Sequence, residues 1–388
     1  MNNLKILIIS PAFPPISGVG VVRMSSLCTY LAKMNDDVTV ICDEPNSENS
    51  NGNSIYVPNG IKIIRINCFQ KSDRQKAALY YDTINSLLSQ NKFDIALVTV
   101  GPYYTLRICY KLFNKFGLKY IIDFRDVGAF EHIRRHSIIQ LGKIILSRIY
   151  EGYFEFMSIA YAKKVVSVTE GWKRKKKRDY FLFAKKMECI ENGYDGERLS
   201  SITLPDSENR YTIAIMGKLA YYSANYAKIL FSSLKKVFQK YEGAQFIHIS
   251  DAEEKVNTVI RDTNLDLKYY KCTGFLDYTE GIKVLSTANI FVIVDDRKDA
   301  MGTKIYDYLY LNKPIIYVGN PNTALSRFVD KFENGFSCST EKETIDAIEY
   351  IFKNNISRLD SNYEKSAYSR EFQNVKYRKL MENILCEL

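Results

Sequence analysis

The sequence has few of the residues that build metal or redox centres. Its 388 residues include three histidines, at positions 132, 136 and 248. Its eight cysteines form no C-x-x-C pair and mostly fall within apolar runs, which is typical of reduced, buried thiols in a cytoplasmic protein. Structural zinc sites need clustered cysteine or histidine ligands. We therefore expect no metal centre.

Long apolar runs are also missing. No stretch approaches the roughly 18 uninterrupted apolar residues that indicate a membrane-spanning helix. The first apolar run, residues 4–9, is short and is followed directly by prolines, so no signal peptide is expected. Residues 137–162 are apolar and aromatic with interspersed cations. This pattern suits a core helix, and attachment to the inner face of a membrane is the alternative.

The charge balance is basic. The formal net charge is +10, which favours anionic partners such as nucleotide-sugars, phospholipid surfaces or nucleic acid. Six consecutive cations occupy residues 173–178. Three interpretations of this run remain open: a solvated helix surface, contact with anionic lipid or contact with nucleic acid.

Short apolar runs alternate with helical patterns along the whole chain, which predicts parallel α/β sheets with right-handed crossovers. The length favours two domains. A polar segment over residues 199–210 contains Pro205 and divides the chain. We expect domains at residues 1–205 and 206–368, with a terminal helix over residues 369–388 that crosses back to the first domain. The dinucleotide pattern G-x-G-x-x-G is absent.

The most informative stretch is residues 290–319, which reads as strand, polar loop, short helix and strand. Ligands of doubly wound sheets bind outside the carboxyl ends of the strands. Gly302 and Thr303 open the helix, where free N–H groups and the helix dipole suit a phosphate. Lys304 adds a full charge. Asp307 lies one turn further on and is suited to binding ribose hydroxyls.

The spacing of two acids extends this interpretation. Asp299 and Asp307 enclose seven residues, which resembles the Glu-x7-Glu signature of retaining glycosyltransferases with the GT-B fold, in the family-4-like group. In that group the first acid contacts the donor sugar and the second the nucleotide ribose. Both acids are aspartates here.

Two further elements resemble the donor site of that family. Gly217-Lys218-Leu219 resembles its Gly-Arg/Lys-Leu element, which implies that Lys218 meets the donor diphosphate. Gly274-Phe275 resembles the loop that holds the nucleotide base. The resemblance thus implies a donor site built from Lys218, Gly274, Phe275, Gly302, Thr303, Lys304 and Asp307.

The N-terminal half resembles the acceptor side. Gly18 and Gly20 match the family's N-terminal glycine loop beside the cleft, and Arg23 follows them. Residues 123–126, Asp-Phe-Arg-Asp, resemble a motif of bacterial polysaccharide glycosyltransferases. Many members of the family carry a histidine near this position that lines the reaction centre, and this sequence has Arg125 instead. Asp126 is the candidate acceptor contact, and it is also a candidate base. An Arg–Asp structural pair and purely structural turns are the alternatives.

The resemblance implies a GT-B architecture, with two Rossmann-like domains facing across a cleft. The expected chemistry is metal-independent hexosyl transfer from a nucleotide-sugar with retention, without a cofactor. Asp126, Asp299 and Lys304 are the candidate catalytic residues. The implied acceptor is a saccharide, lipid-linked, in bacterial surface polysaccharide or capsule biosynthesis.

Two alternatives stay open. A non-catalytic GT-B protein could bind a nucleotide-sugar as a partner or scaffold. The other alternative is a basic nucleic-acid-binding protein, although we expect no nucleic-acid partner.

Overall fold

The computed structural model describes residues 3–16, 19–45, 58–125, 141–206 and 211–387, with backbone alone at 19 and 141–149. The chain forms two compact units. Unit 1 consists of Met1–Asn192 and Arg370–Leu388, and unit 2 of Gly193–Ser369.

The strands coincide with the short apolar runs of the sequence, and most of their side chains are buried. Such continuous apolar runs are typical of parallel strands covered on both faces. The described strands are β1 (Lys5–Ile9), β2 (Asp37–Asp43), β3 (Lys62–Ile66), β4 (Ile95–Val100), β5 (Lys119–Phe124), β6 (Lys164–Ser167), β7 (Met187–Cys189), β8 (Thr212–Met216), β9 (Gln245–Ile249), β10 (Tyr270–Cys272), β11 (Ile290–Asp295), β12 (Ile315–Gly319) and β13 (Gly335–Cys338).

Helices connect these strands, and several begin at a Ser, Thr or Asp side chain that accepts a hydrogen bond from the first turn. The described helices are α1 (Val19–Lys33), α2 (Asp73–Gln90), α3 (Leu106–Phe116), α4 (Leu141–Tyr161), α5 (Glu170–Asp179), α6 (Gly196–Ser200), α7 (Ala224–Phe238), α8 (Glu254–Thr263), α9 (Tyr278–Ser286), α10 (Lys304–Leu311), α11 (Ala324–Val329), α12 (Glu341–Lys353) and α13 (Arg370–Cys386). No described helix has the length and apolar character needed to cross a membrane.

Both sheets are parallel and doubly wound. Within the described residues, unit 1 has a seven-stranded sheet of order β3-β2-β1-β4-β5-β6-β7, and unit 2 a six-stranded sheet of order β10-β9-β8-β11-β12-β13. The predicted α/β class with two Rossmann-like units is confirmed. The strand order reverses between β1 and β4 in unit 1, and between β8 and β11 in unit 2. Those two positions are where sheets of this kind bind ligands.

The last helix, α13, belongs to unit 1 and packs against α1. Tyr377, Met381 and Ile384 of α13 lie in the same apolar cluster as residues of α1 and the first strands. A buried ion pair adds to this contact, because Arg378 Nε lies 3.0 Å from Asp36 Oδ2.

Three local features depart from the sequence prediction. The sequence predicts one strand over residues 267–272, but Leu267–Tyr269 form a 3₁₀ turn and only Tyr270–Cys272 pair with β9. The reason is local, since the Asp266 carboxylate accepts a hydrogen bond from the Lys268 N–H at 3.0 Å. The short helices α6 and α11 were not predicted.

Candidate functional site

The strongest candidate site lies where the strand order of unit 2 reverses. Strands β8 and β11 are neighbours there, and both end at the same edge of the sheet. Gly217 and Lys218 follow β8. The polar loop of residues 296–303 follows β11 and leads into α10, which begins at Lys304. The geometry therefore brings together two segments that are about 85 residues apart in sequence, as expected at a topological switch point.

Lys304 lies directly over Gly217. A Cβ atom added to Gly217 would stand 1.3 Å from the Lys304 Nζ, so a side chain at this position would displace the ammonium. The φ angle of Gly217 is +82°, a left-handed conformation that other residues adopt at a cost. The loop after β8 is thus shaped around the charged end of Lys304.

The electrostatics of Lys304 favour an anionic ligand. Burial lowers its pKa to about 8, and Lys218 acts in the same direction, while the carboxylates of Asp307 and Glu253 oppose the shift. An ammonium held in a poorly solvated position beside a helix N-terminus gains from an anion that supplies the missing countercharge. A diphosphate is an anion of this kind.

Asp307 lies one turn after Lys304 and is largely buried. Its Oδ1 accepts a hydrogen bond from the Tyr278 hydroxyl at 2.8 Å. The Arg198 guanidinium stacks on the Tyr278 ring at 4.2 Å from its centroid. These contacts fix the orientation of the carboxylate that the sequence predicts to bind ribose.

A buried histidine holds the Gly217 loop from beneath. His248 Nε2 lies 2.7 Å from the Gly217 carbonyl oxygen, and Nδ1 lies 2.9 Å from the Tyr270 hydroxyl. Because a carbonyl oxygen can only accept, Nε2 carries the proton and Nδ1 accepts from Tyr270. Burial lowers the pKa of His248, which favours this neutral tautomer. Glu253 Oε1 completes the support by accepting from the Leu219 N–H at 3.0 Å.

The carboxylate at the end of β11 is held by a cation. Asp295 accepts three hydrogen bonds from the Arg297 side chain, the shortest at 2.6 Å, and one from the Arg297 N–H. The Arg297 guanidinium in turn lies 3.6 Å from the centroid of the Tyr222 ring, in the segment after β8. Within the described residues, no group of three or more His, Cys, Asp or Glu side chains is placed to hold a metal ion.

The other predicted donor residues lie in loops after the strands of the same sheet. Asp299 is half-buried in the loop before α10, and Gly302 has open space around its Cα. Lys218 is exposed, and its Nζ lies 5.8 Å from the centroid of the Tyr221 ring. Thr303 precedes α10 with helical backbone angles. Gly274 and Phe275 follow β10; Gly274 has a φ of +73° and Phe275 is 67% exposed.

Comparison with known proteins agrees with this geometry. Residues 17–198 match the model of Glycosyltransferase Family 4. This match covers a little under half of the chain, and the fold of the chain is GT-B. No curated protein sequence matches it significantly.

Solved structures of similar fold include several that cover nearly the whole chain. HepE from Anabaena, in complex with UDP and glucose, is 13% identical with a TM-score of 0.66, over 98% of this chain and 100% of that one. Sucrose-phosphate synthase from Thermosynechococcus elongatus is 12% identical with a TM-score of 0.71, over all of both chains. The UDP-GlcNAc 2-epimerase from Methanocaldococcus jannaschii is 14% identical with a TM-score of 0.62, over 98% of this chain and 100% of that one.

In unit 1, the predicted acceptor residues Gly20 and Arg125 lie together. A Cβ atom on Gly20 would stand 1.6 Å from Arg125 Nη1, so the absence of a side chain lets α1 approach the guanidinium. Arg125 Nη2 donates to Thr99 Oγ1 at 2.8 Å, at the end of β4. Gly18 and Asp126 lie outside the described residues.

Arg23 lies in the interior of unit 1. Its guanidinium pairs with both Asp123 carboxylate oxygens at 3.2 and 3.3 Å. It also donates to the carbonyls of Ile190 and Glu191 and to the Tyr377 hydroxyl, each at 2.7 Å. The structure therefore uses this side chain to join α1, β5, the segment after β7 and α13.

The basic run at 173–178 is not a uniform charged surface. Lys176 is buried, pairs with the buried Glu155 at 2.9 Å, and lies 3.5 Å from the centroid of the Phe124 ring. Lys173 pairs with Glu170 at 3.1 Å on the same helix. Part of the run is therefore structural.

Replacing His248 by leucine should weaken nucleotide-sugar binding by roughly tenfold, because the Gly217 carbonyl would lose its buried donor and the loop its support. His248→Gln is the matched variant, since its amide can donate to the same carbonyl and should recover much of the affinity. Calorimetric titration with the donor measures both. If the leucine variant binds as tightly as the native protein, His248 only fills the core.

Proposed function

We propose that this protein is a glycosyltransferase that moves a sugar from a UDP-sugar to a saccharide acceptor with retention of anomeric configuration. In this proposal the acceptor is lipid-linked, the product enters a bacterial surface polysaccharide such as a capsule, and the enzyme works in the cytoplasm. Transfer of a hexose would proceed without a metal ion or another cofactor.

The observation that carries the proposal is the half-buried ammonium of Lys304 over Gly217, at the N-terminal end of α10. As the bond to the sugar breaks, negative charge grows on the leaving diphosphate. A fixed cation and a helix N-terminus stabilise such charge without reorganisation. Lys218, on the loop after β8, is placed to add a second, more mobile cation.

The choice of uridine is supported by three solved structures of similar fold that contain UDP or UDP-glucose. In the proposal Asp307 binds the ribose, the Gly274-Phe275 backbone contacts the base, and Asp299 contacts the donor sugar. Retention is supported by the family match and by the seven-residue spacing of the two aspartates. On the acceptor side, Gly20 and Arg125 lie beside the switch point of unit 1, and Asp126 and Gly18 belong to the same segments.

A thermal-shift panel of UDP-, GDP-, ADP- and TDP-sugars tests the donor. A ligand that binds only the folded state raises the unfolding midpoint. We expect a shift with UDP-sugars that is lost in Asp307→Asn. The control is Asp346→Asn, which removes an exposed carboxylate of α12 in the same unit and should keep the shift.

Transfer itself is tested by product analysis. Donor consumption that depends on an added saccharide, with an unchanged anomeric configuration by NMR, supports the proposal. The epimerases of similar fold suggest the main alternative function. Conversion of a UDP-sugar without any acceptor would indicate an epimerase and not a transferase. A donor-induced shift without turnover on any acceptor would indicate a binding protein, and absence of any shift would remove the donor assignment.

A further inference from the structure

Two lysines from different segments of unit 2 approach one exposed ring beside the candidate donor site. Tyr221 lies between β8 and α7, and its side chain is 58% exposed. The Lys218 Nζ lies 5.8 Å from the centroid of this ring, and the Lys255 Nζ lies 5.6 Å from it. Ammonium groups at this distance are attracted to an aromatic face. Lys255 stands in the first turn of α8, which follows β9, so no sequence motif connects it with Lys218.

The start of α8 is tied to the segment after β8. Glu253 immediately precedes α8, and its Oε1 accepts a hydrogen bond from the Leu219 N–H at 3.0 Å. The same oxygen lies 3.9 Å from Nε2 of the buried His248, which supports the loop from beneath. Because these contacts join the two segments, Lys255 starts from a fixed position and its side chain extends toward the Tyr221 ring.

A second tyrosine holds the Tyr221 ring in place. The rings of Tyr221 and Tyr222 meet edge-on, with centroids 5.1 Å apart and an angle of 89° between their planes. Tyr222 is itself covered by Arg297, whose guanidinium lies 3.6 Å from the ring centroid. Arg297 is paired with Asp295 at 2.6 Å. Because Asp295 neutralises Arg297, the uncompensated charge of this surface comes from the lysines.

Three lysines of this surface form no ion pair with any carboxylate that the structure describes, namely Lys218, Lys255 and Lys304. Lys218 is close enough to Lys304 to contribute to the lowering of its pKa, and Asp307 and Glu253 offset part of the charge from further away. The surface therefore carries a positive charge that a ligand with several negative charges would compensate.

The charge on the proposed ligand grows during sugar transfer. In a UDP-sugar each of the two phosphates carries about one negative charge at neutral pH. As the sugar passes to an acceptor hydroxyl, the bonding electrons stay on the terminal phosphate oxygen and the hydroxyl proton leaves to solvent. Released UDP then carries roughly one further negative charge, since the second pKa of a terminal phosphate is about 6. Lys304 and Lys218 match the charges of the donor, and Lys255 is the cation that remains for the product.

We propose that Lys255, held against the Tyr221 ring, is a third cation for the diphosphate and acts mainly on released UDP. Its contribution is larger for the product than for the donor, so it slows the release of UDP and makes UDP a stronger inhibitor. Tyr221 is a positioning residue, because it acts only through the lysines. This inference rests on the proposed function, since it takes a UDP-sugar as the donor.

Calorimetric titration of the full chain tests the inference. The probes are UDP, UMP and the UDP-sugar that gives the largest thermal shift. We expect Lys255→Gln to weaken UDP binding about fivefold, near the upper end of what one exposed ion pair contributes, and donor binding by less than about twofold. UMP lacks the second phosphate, so its affinity should not change.

The matched control is Lys331→Gln. Lys331 is an exposed lysine of the same unit, and its Nζ lies 5.7 Å from the centroid of the Phe328 ring. It precedes β13 and therefore lies at the amino-terminal edge of the sheet, opposite the donor site. This variant should bind UDP as the native chain does. Equal losses in the two lysine variants would mean that UDP responds to net charge alone, which would overturn the proposal.

The possible failures of this inference and of the proposed function differ. If the native chain binds UDP and Lys255→Gln binds it equally well, the inference is wrong and the proposed function stands. If the native chain binds neither UDP nor any UDP-sugar, the proposed donor is wrong and the inference is lost with it. Equal losses for UDP and for the donor would overturn the preference of Lys255 for the product.

Two variants of Tyr221 test its positioning role. Tyr221→Phe keeps the aromatic face and should bind UDP as the native chain does. Tyr221→Ser removes the ring and should weaken UDP binding about threefold, the usual size of an exposed cation–π contact. Both should keep the native unfolding midpoint without ligand, because the side chain is mostly exposed. If the serine variant binds UDP as tightly as the phenylalanine variant, Tyr221 does not position the lysines.

Discussion

Replacing Lys304 by methionine is expected to lower sugar transfer by about 10²- to 10³-fold, the usual effect of removing one group that stabilises developing negative charge. The ammonium lies over Gly217 at the start of α10, where the proposed diphosphate would leave. Methionine keeps an unbranched apolar side chain of similar length and deletes the charge. Initial rates at saturating acceptor measure the change.

The matched control is Lys313→Met. Burial also lowers the pKa of Lys313, but this residue follows the C-terminal end of α10, away from the Gly217 loop. We expect it to retain most of the activity. Comparable losses in both variants would mean that the loss follows from removing a buried lysine and not from the position of Lys304.

The pH dependence of donor binding gives a second readout of the same residue. With a pKa of about 8, Lys304 is protonated below that pH and binds the diphosphate as an ammonium. Above that pH the Lys304 amine is neutral and must take up a proton when the diphosphate binds. The dissociation constant of the donor should therefore rise by up to about tenfold per pH unit. The rise should be absent in Lys304→Met. If the dissociation constant of the native protein does not change up to pH 9, Lys304 does not bind the diphosphate.

Replacing Arg23 by methionine is expected to lower the free energy of unfolding by about 3–5 kcal/mol, because it leaves the buried Asp123 carboxylate without its partner. Two backbone carbonyls and the Tyr377 hydroxyl also lose their donor. The protein has a single tryptophan, Trp172 in α5, so its fluorescence reports on unit 1 during urea unfolding.

A double variant distinguishes the buried charge from other causes. Arg23→Met/Asp123→Leu removes both ions, and it should be more stable than Arg23→Met alone. If the double variant is less stable by the sum of the single effects, the ion pair is not the source of the loss. Donor binding, which depends on unit 2, should survive in any variant that is folded at the assay temperature.

Much of this fold could be predicted from the sequence because its strands are short apolar runs with a clear period. The sequence predicts strands over residues 119–123 and 290–294 and a helix over residues 304–311, and the boundaries of β5, β11 and α10 fall within one residue of these. The donor loop could be predicted equally well, because Gly302, Thr303, Lys304 and Asp307 stand together in one motif. Such patterns predict the sequence of strands, loops and helices along the chain.

The residues that sequence reasoning missed depend on contacts between distant segments. His248 is a single histidine in an apolar strand, and only the fold shows that it meets Gly217, 31 residues away. Tyr278 likewise reaches Asp307 from another helix. Arg23 was grouped with the glycine loop before it, yet its partners lie 100 to 354 residues further on.

The place of α13 in unit 1 has a consequence for how the protein is made. Residues 370–386 are synthesised after all of unit 2, yet they cover α1 and supply the Arg378 partner of Asp36. A nascent chain that still lacks them holds an uncovered apolar surface and an unpaired buried carboxylate throughout the translation of unit 2. Such surfaces promote misassembly. Unit 1 is therefore most exposed to aggregation while the chain is still on the ribosome, before α13 has been made.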